Sequence, residues 1–121
     1  YYETALTPDH GREWLAQDLD LLLETGVDRI YLMAYHRQMK AELRLEEAEN
    51  RRRFAGMVER AWRRAGDRLV VKLQGRDFDT KERIPTGEMQ AYLALIPAGV
   101  KRVCLTSIEW GDLPWLAGLL R

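Results

Sequence analysis

The residues of this sequence that could do chemistry lie just beyond short apolar runs. Tyr35 and His36 close the run that begins at Arg29, and Gln74, Arg76 and Asp77 follow Leu69 to Leu73, where only Lys72 is polar. Ser107, Glu109 and Trp110 follow Arg102 to Thr106, and Glu3 follows Tyr1-Tyr2. If each run is a strand and the strands point the same way, these residues gather at one edge, where α/β proteins open their ligand crevice. The gathered set holds carboxylates, an imidazole, aromatic rings and an amide. Such a mix suits a sugar: aromatic faces stack on the C–H side of the ring, while amides and carboxylates take the hydroxyls. Carboxylate pairs also serve glycoside hydrolysis.

Each candidate has a plain structural alternative. Tyr35 can be a strand-end tyrosine that ties down a loop. His36 lacks a companion at metal-ligand spacing. Asp77 can cap its own loop, with Asp79 and Thr80 in the same turn. Glu109, followed by Trp110 and Gly111, can be a solvated side chain. Arg51, Arg52 and Arg53, with Arg60, Arg63 and Arg64, invite a nucleic-acid reading, but Glu46, Glu47, Glu49 and Glu59 share their helix. A salt-bridged, solvated face is the expectation there. Cys104 sits in an apolar run without a paired base and reads as packing. There is no Gly-rich phosphate loop, zinc spacing or nucleophile elbow, so nothing in the sequence asks for a cofactor or a metal.

Helices alternate with these runs. Thr7-Pro8-Asp9 is a helix start, with Thr as N-cap and Pro at the first helical position. Trp14, Leu15, Leu19, Leu22 and Leu23 recur at helical spacing up to Gly26. Arg29 to Tyr35 is a buried strand, and His36 to Leu45 a polar connection. A second helix from about Glu46 to Ala65 carries Phe54, Ala55, Val58, Ala61, Trp62 and Ala65 as one stripe. After the strand Leu69 to Gln74 and a long loop, Thr86 can cap a third helix with Met89, Tyr92, Leu93 and Ile96 on its apolar side; Pro97 ends it. The strand Arg102 to Thr106 follows, and Asp112 can cap a final helix carrying Leu113, Leu116, Leu119 and Leu120.

One joint occurs three times: Gly26-Val-Asp-Arg-Ile-Tyr-Leu, Gly66-Asp-Arg-Leu-Val-Val and Gly99-Val-Lys-Arg-Val-Cys-Leu. Each is a helix-ending glycine, a polar pair with Arg, then a strand. The spacing is that of a βα unit and implies parallel strands joined by crossovers. With Tyr1-Tyr2 as the end of a further strand, residues 1–121 form a single segment of four βα units, half of an eight-unit barrel or a small open sheet. The opening on Tyr1-Tyr2 without Met reads as a piece of a longer protein.

At 121 residues the chain fits one domain, and its 46% apolar content supports a packed core. Nineteen basic residues balance nineteen acidic ones, so no global field draws nucleic acid or anionic lipid. No apolar run approaches the roughly 18 residues of a membrane span. A single cysteine excludes an internal disulfide.

The stretch Leu73-Gln74-x-x-Asp77-Phe78-x-Thr80-Lys81-x-x-Ile84-Pro85-Thr86 resembles the late segment of the C-terminal glycosidase-like domain of bacterial poly-β-1,6-N-acetylglucosamine N-deacetylases, with Phe78 where Trp is usual. Met33-Ala34-Tyr35 is similar to that family's Met-Ala-Met-Pro-Tyr without its proline. Glu13-Trp14-Leu15-Ala16-Gln17 resembles the preceding helix, and Tyr1-Tyr2 the end of the strand before it. The resemblance runs in register over nearly the whole chain. It implies the second half of a (β/α)₈ barrel, an extracytoplasmic parent, and a polysaccharide partner, partially deacetylated poly-β-1,6-N-acetylglucosamine. It puts Tyr35, Gln74 and Asp77 along the glycan groove. The family's catalytic acid and its metal site belong to regions outside this sequence. Where the family has Tyr-Tyr-Pro-Asp-Asp-Phe, this chain reads Leu105-Thr-Ser-Ile-Glu-Trp-Gly-Asp112, and Glu109 and Asp112 are the candidates to replace those carboxylates.

The expected function is therefore a glycan-binding segment, with Tyr35, His36, Gln74, Arg76, Asp77 and Trp110 as binding residues and no cleavage by the segment alone. A chitinase-like or other sugar-hydrolase barrel is the second possibility, since Leu32-Met33-x-Tyr35 is similar to a strand end there. A non-catalytic α/β interaction module is the third. Half a barrel leaves two strand edges open, so association with the missing half or with a second copy is expected.

Overall fold

The computed structural model describes residues 18–119. Its helices are α1 (Leu19–Glu24), α2 (His36–Leu43), α3 (Glu47–Ala65), α4 (Thr86–Leu93) and α5 (Leu113–Leu119). Its strands are β1 (Ile30–Met33), β2 (Leu69–Gln74) and β3 (Val103–Thr106), with 3₁₀ turns at Gly66–Arg68 and Trp110–Asp112. The strands lie in the order β1-β2-β3 and both pairs are parallel, so the chain is α/β as its pattern of helices and apolar runs implied. The expected strand end at Tyr1-Tyr2, Glu3 and the helix start at Thr7-Pro8-Asp9 lie outside the described residues. Among the described residues no helix is long and apolar enough to cross a membrane.

The register decides which side chains share a face. Ile30 pairs with Leu69, Leu32 with Val71, Val71 with Val103 and Leu73 with Leu105. Because side chains alternate along a strand, these residues form one face and Tyr31, Met33, Val70, Lys72, Gln74, Cys104 and Thr106 the other. The first face carries the core. Leu32, Leu69, Val71 and Leu73 share a buried cluster with Phe54, Met57, Val58, Ala61 and Ala65 of α3, Met89 and Tyr92 of α4, and Trp115 of α5. On the second face Val70 and Gln74 are buried, Met33, Lys72, Cys104 and Thr106 are half-buried, and Tyr31 is 45% exposed. Burial pushes the Cys104 thiol up, as suits a packing residue.

The long helix α3 is amphipathic for the reason its sequence shows. Its apolar stripe enters the core, and its outer face is laced by ion pairs at helical spacing: Glu47 with Arg51 (3.0 Å), Glu49 with Arg53 (2.6 Å) and with Arg52, and Glu59 with Arg63 (2.6 Å). Arg64 reaches Asp20 of α1 at 2.8 Å. The arginine run is a solvated, paired surface.

The repeated joint has a shared use. Arg68 of the second joint donates to the Leu23 carbonyl at the end of α1 (3.1 Å), next to the first joint. Arg102 of the third joint donates to the Asp67 carbonyl of the second (2.7 Å), beside a Lys101–Asp67 ion pair. In both steps an arginine ties its strand's start to the unit before it. The glycines differ in purpose. Gly26 and Gly66 have φ of 77° and 54°, where other residues are strained. Gly99 is not left-handed; a Cβ there would run into the Trp62 indole.

Four local expectations are corrected. The segment after β1 is not a polar connection but the helix α2, whose inward positions are His36, Met39 and Leu43. A buried histidine stands at a position where periodicity looks for an apolar residue. Thr86 is not an N-cap; it is the first helical residue after Pro85, and no side-chain cap bond forms there. The helix α4 stops at Leu93, with Ile96 in the turns beyond it. The buried residue of α5 is Trp115, whereas Leu113 is exposed; Leu120 lies outside the described residues.

Candidate functional site

The C-terminal ends of the three strands supply one polar edge, and it divides into two clusters. The first is centred on Arg37. Its guanidinium makes a two-pronged contact with Glu88 (Nε to Oε1 2.8 Å, Nη2 to Oε2 2.7 Å) and donates from Nη1 to Asp77 Oδ2 (3.1 Å). Such fork-to-fork pairing is the strongest form of a charge-assisted hydrogen bond. Glu88 holds the Arg37 pKa above its ordinary value, and Arg37, then His36, hold Glu88 below its own. Asp77 also accepts from the backbone N–H groups of Asp79 (2.9 Å) and Thr80 (3.0 Å). The Thr80 N–H first, and Arg37 next, lower the Asp77 pKa. Asp77 is thus both a loop cap and a partner of α2.

Gln74 is fully buried at the end of β2. Its Oε1 accepts from the N–H of Arg37 (3.1 Å) and of Gln38 (3.4 Å), and its Nε2 donates to the Arg76 carbonyl (3.2 Å). It caps the first turn of α2, where Tyr35 occupies the N-cap position without a side-chain bond. The Tyr35 ring instead stands edge-on to Phe78, with centroids 5.0 Å apart. Gln74, Asp77 and Phe78 line a cleft of about 290 Å³ with Arg37 and Gln38.

His36, beside them at the start of α2, is buried. Its Nε2 lies 2.8 Å from Glu88 Oε1, and its ring stacks on Tyr92 with centroids 4.0 Å apart. Burial lowers its pKa, against the pull of Glu88, so the ring is held neutral. The Tyr92 hydroxyl donates to Glu47 (3.0 Å) and accepts from Asn50 Nδ2 (2.7 Å), which also donates to the His36 carbonyl (3.0 Å). Burial, then Glu47, pushes the Tyr92 phenol up to about 12. Lys40 first, with Arg51 and Tyr92, pulls the Glu47 carboxyl down to about 2.

The second cluster joins the β2–α4 loop to the β3–α5 loop. Arg76 donates to both oxygens of Asp112 (3.1 and 2.9 Å) and to the Lys81 carbonyl (2.9 Å), and it lies 3.2 Å from Glu109. Asp112, itself buried, also accepts from the Glu109 N–H (2.9 Å). The Glu109 N–H first, and Arg76 next, lower its pKa. Asp112 therefore closes a capping box with Glu109 and starts the final helical stretch from its third position. Gly75 permits the loops to meet: a Cβ there would press on Ile108 and the Thr106 carbonyl, to which the Gly75 N–H donates at 2.8 Å. Trp110 stands 88% exposed beyond the clasp, bordering an apolar hollow with Ile108 and Leu113.

The parallel sheet thus brings the sequence-selected residues that the structure describes to one edge, but not to one point; Glu3 lies outside the described residues. Tyr35, His36, Gln74 and Asp77 meet through α2; Arg76, Glu109 and Asp112 form the clasp; Trp110 is outermost. Sequence reasoning missed Arg37, Glu88, Asn50 and Tyr92's hydroxyl. One signal was available: Asn50 falls in line with Phe54, Met57, Ala61 and Ala65 on the buried stripe of α3, and a polar residue there requires a polar partner inside. Among the described residues there is no group of three or more metal-ligating side chains. Comparison of the chain with protein-family models, curated proteins and solved structures finds no match, so geometry and chemistry carry the functional argument.

Proposed function

We propose that this chain is a glycan-handling segment of a (β/α) barrel domain, acting outside the cytoplasm on partially deacetylated poly-β-1,6-N-acetylglucosamine. One observation carries the reading: three parallel strands follow in chain order, and the buried cluster of the described helices lies on one face, while the other keeps Tyr31 exposed. A doubly wound sheet reverses its strand order and covers both faces. An arc of a barrel does neither, and it collects its loops at the C-terminal edge. That edge offers the pair Tyr35–Phe78, the carboxylate of Asp77 and the exposed indole of Trp110. Aromatic faces and carboxylates are the groups that hold an amino sugar.

Binding is favoured over cleavage. A glycosidase needs a carboxyl whose pKa is raised, so that it can give its proton to the leaving oxygen. Asp112 is shifted the other way, and Glu109 is a solvated partner of Arg76. Titration with β-1,6-glucosamine oligomers should give weak, saturable binding that Trp110→Ala reduces about tenfold, the scale of losing one stacked aromatic, with no product released. Preference for β-1,4-linked oligomers transfers the segment to a chitinase-like barrel. No binding by this chain, or by a longer protein carrying it, removes the glycan reading.

A second reading, an interaction module without catalysis, is favoured by the exposed Ile108, Trp110 and Leu113 and by the exposed Tyr31 on the sheet's second face. The barrel reading puts a partner on the sheet, either the rest of a barrel or a second copy. Light scattering that shows a well-behaved monomer without sugar affinity counts against the barrel segment and favours the interaction module.

A further inference from the structure

Beside the rim, residues of α2 and α3, with Asp77 and Glu88, line a second cleft of about 710 Å³. Among the described residues three buried side-chain atoms find no hydrogen-bond partner: His36 Nδ1, Asn50 Oδ1 and Trp115 Nε1. The first two belong to residues that line this cleft. Buried polar atoms are nearly always paired, and an unpaired one costs about 1–3 kcal/mol.

Both atoms are acceptors. The Asn50 amide is oriented by its Nδ2, which donates to a backbone carbonyl and to a phenol that is itself donating to Glu47. That leaves Oδ1 bare. His36 presents Nε2 to the Glu88 carboxylate and so carries its proton there. Nδ1 of the neutral ring is then a lone pair. A molecule that satisfies these two atoms must bring donors.

Charge decides which donors. Four basic residues line the cleft, Arg37, Lys40, Arg44 and Arg51, against three acidic ones, Glu47, Asp77 and Glu88. The three carboxylates are already engaged: Glu88 and Asp77 by Arg37, Glu47 by Lys40, Arg51 and Tyr92. A cationic donor would therefore meet an excess of positive charge, and hydroxyls suit these two atoms better. Arg44 is the cation left over, exposed at the cleft's edge. It ends α2 in the left-handed region, with φ 51° and ψ 46°, where glycine is usual. A long charged side chain held at a strained position beside a cleft is an observation from which a function is properly inferred.

We propose that the α2–α3 cleft binds a small hydroxylated carboxylate, a sugar acid, whose hydroxyls donate to His36 Nδ1 and Asn50 Oδ1 and whose carboxylate pairs with Arg44. The cleft shares Arg37 and Asp77 with the rim, but the proposal does not depend on the glycan reading, because its probe is a small anion and not an amino-sugar chain.

The test is titration of the full chain with D-glucuronate, followed by the imidazole ¹⁵N signals. The chain has two histidines, His10 and His36, so a His10→Asn variant assigns the His36 signals. The expected result is a saturable shift of the His36 Nδ1 resonance as it accepts a hydrogen bond. Arg44→Gly removes the guanidinium at a conformation glycine prefers, so the fold is kept. It should weaken binding about tenfold or more, the scale of one charge-assisted hydrogen bond. Arg44→Asn, also tolerant of that conformation, should do the same. Tighter binding of a uronate oligomer than of the monomer assigns the site to a chain end, and equal or weaker binding to a free acid. Three results overturn the proposal: no His36 shift up to about 50 mM glucuronate, far weaker than a millimolar site, which leaves the acceptors to water; glucosamine binding as tightly as glucuronate; or full affinity in both Arg44 variants.

Discussion

The Arg76–Asp112 clasp and the His36–Glu88 centre use similar residues at the same end of the sheet, and they differ in what is left over. In the clasp, both Asp112 oxygens and the Glu109 N–H are paired, and Arg76 is held on several sides. In the centre, Arg37 and Glu88 are as well paired, yet two buried acceptors beside them have no partner. A closed network fixes loop positions. An open one, on residues that line a cleft, invites a ligand. Ion pairing alone does not separate a structural cluster from a binding one; the count of unsatisfied atoms does.

The difference is most exposed by removing the acid from each cluster. Glu88→Ala takes away the partner of Arg37 and of buried His36 together, and should cost about 2–3 kcal/mol in urea unfolding. Asp112→Ala should act locally. The Glu109 N–H and Arg76 lose their acceptor, the loop from Ser107 to Gly111 opens, and exchange of the Glu109 amide should rise about tenfold or more. Its global cost should be below that of Glu88→Ala. The reverse order of costs would make the clasp the keystone of the edge and would break the comparison.

Acid should separate the clusters more gently. His36 has a folded pKa below 6.5, chiefly through burial, with Arg37 adding to it and Glu88 and Glu47 opposing. The unfolded chain takes up this proton first, so the stability His36 contributes is complete above pH 6.5 and falls as pH drops below it. Glu88 and Asp112 have folded values below 4.5 and 3.8. Their contributions are kept above those values and lost only as pH falls through the folded ones. Melting temperatures should therefore decline slightly from pH 7 to 5, through the centre and not the clasp, and steeply only in stronger acid. A midpoint that does not change from pH 7 to 5 would show that His36 is not held neutral.

Much of the fold was written in local patterns. The three glycine–arginine joints marked where strands begin, and the tertiary contacts of Arg68 and Arg102 explain why an arginine recurs there. The alternation of Glu and Arg on α3 announced a paired, solvated face. Less of the site could be read. Asp77 was legible as a loop cap, and it is one, but its bond to Arg37 spans 40 residues. The helix α2 was hidden because its inward positions include a histidine, which periodicity scores as polar. Trp115 was passed over in favour of the leucines around it, and only packing against the cluster shows which side of α5 turns inward.

By itself the sequence determined the element types apart from α2, the parallel direction of the strands and the edge at which polar side chains collect, because those follow from periodicity, chain punctuation and the direction of strands. Only the tertiary structure decided that the edge divides in two, that Gln74 is engaged by backbone, and that His36 and Asn50 each keep an acceptor unpaired. The physical reason is that pairing is set by distances between residues far apart in the chain. Satisfaction of a buried polar atom depends on every neighbour at once, and no local pattern encodes that.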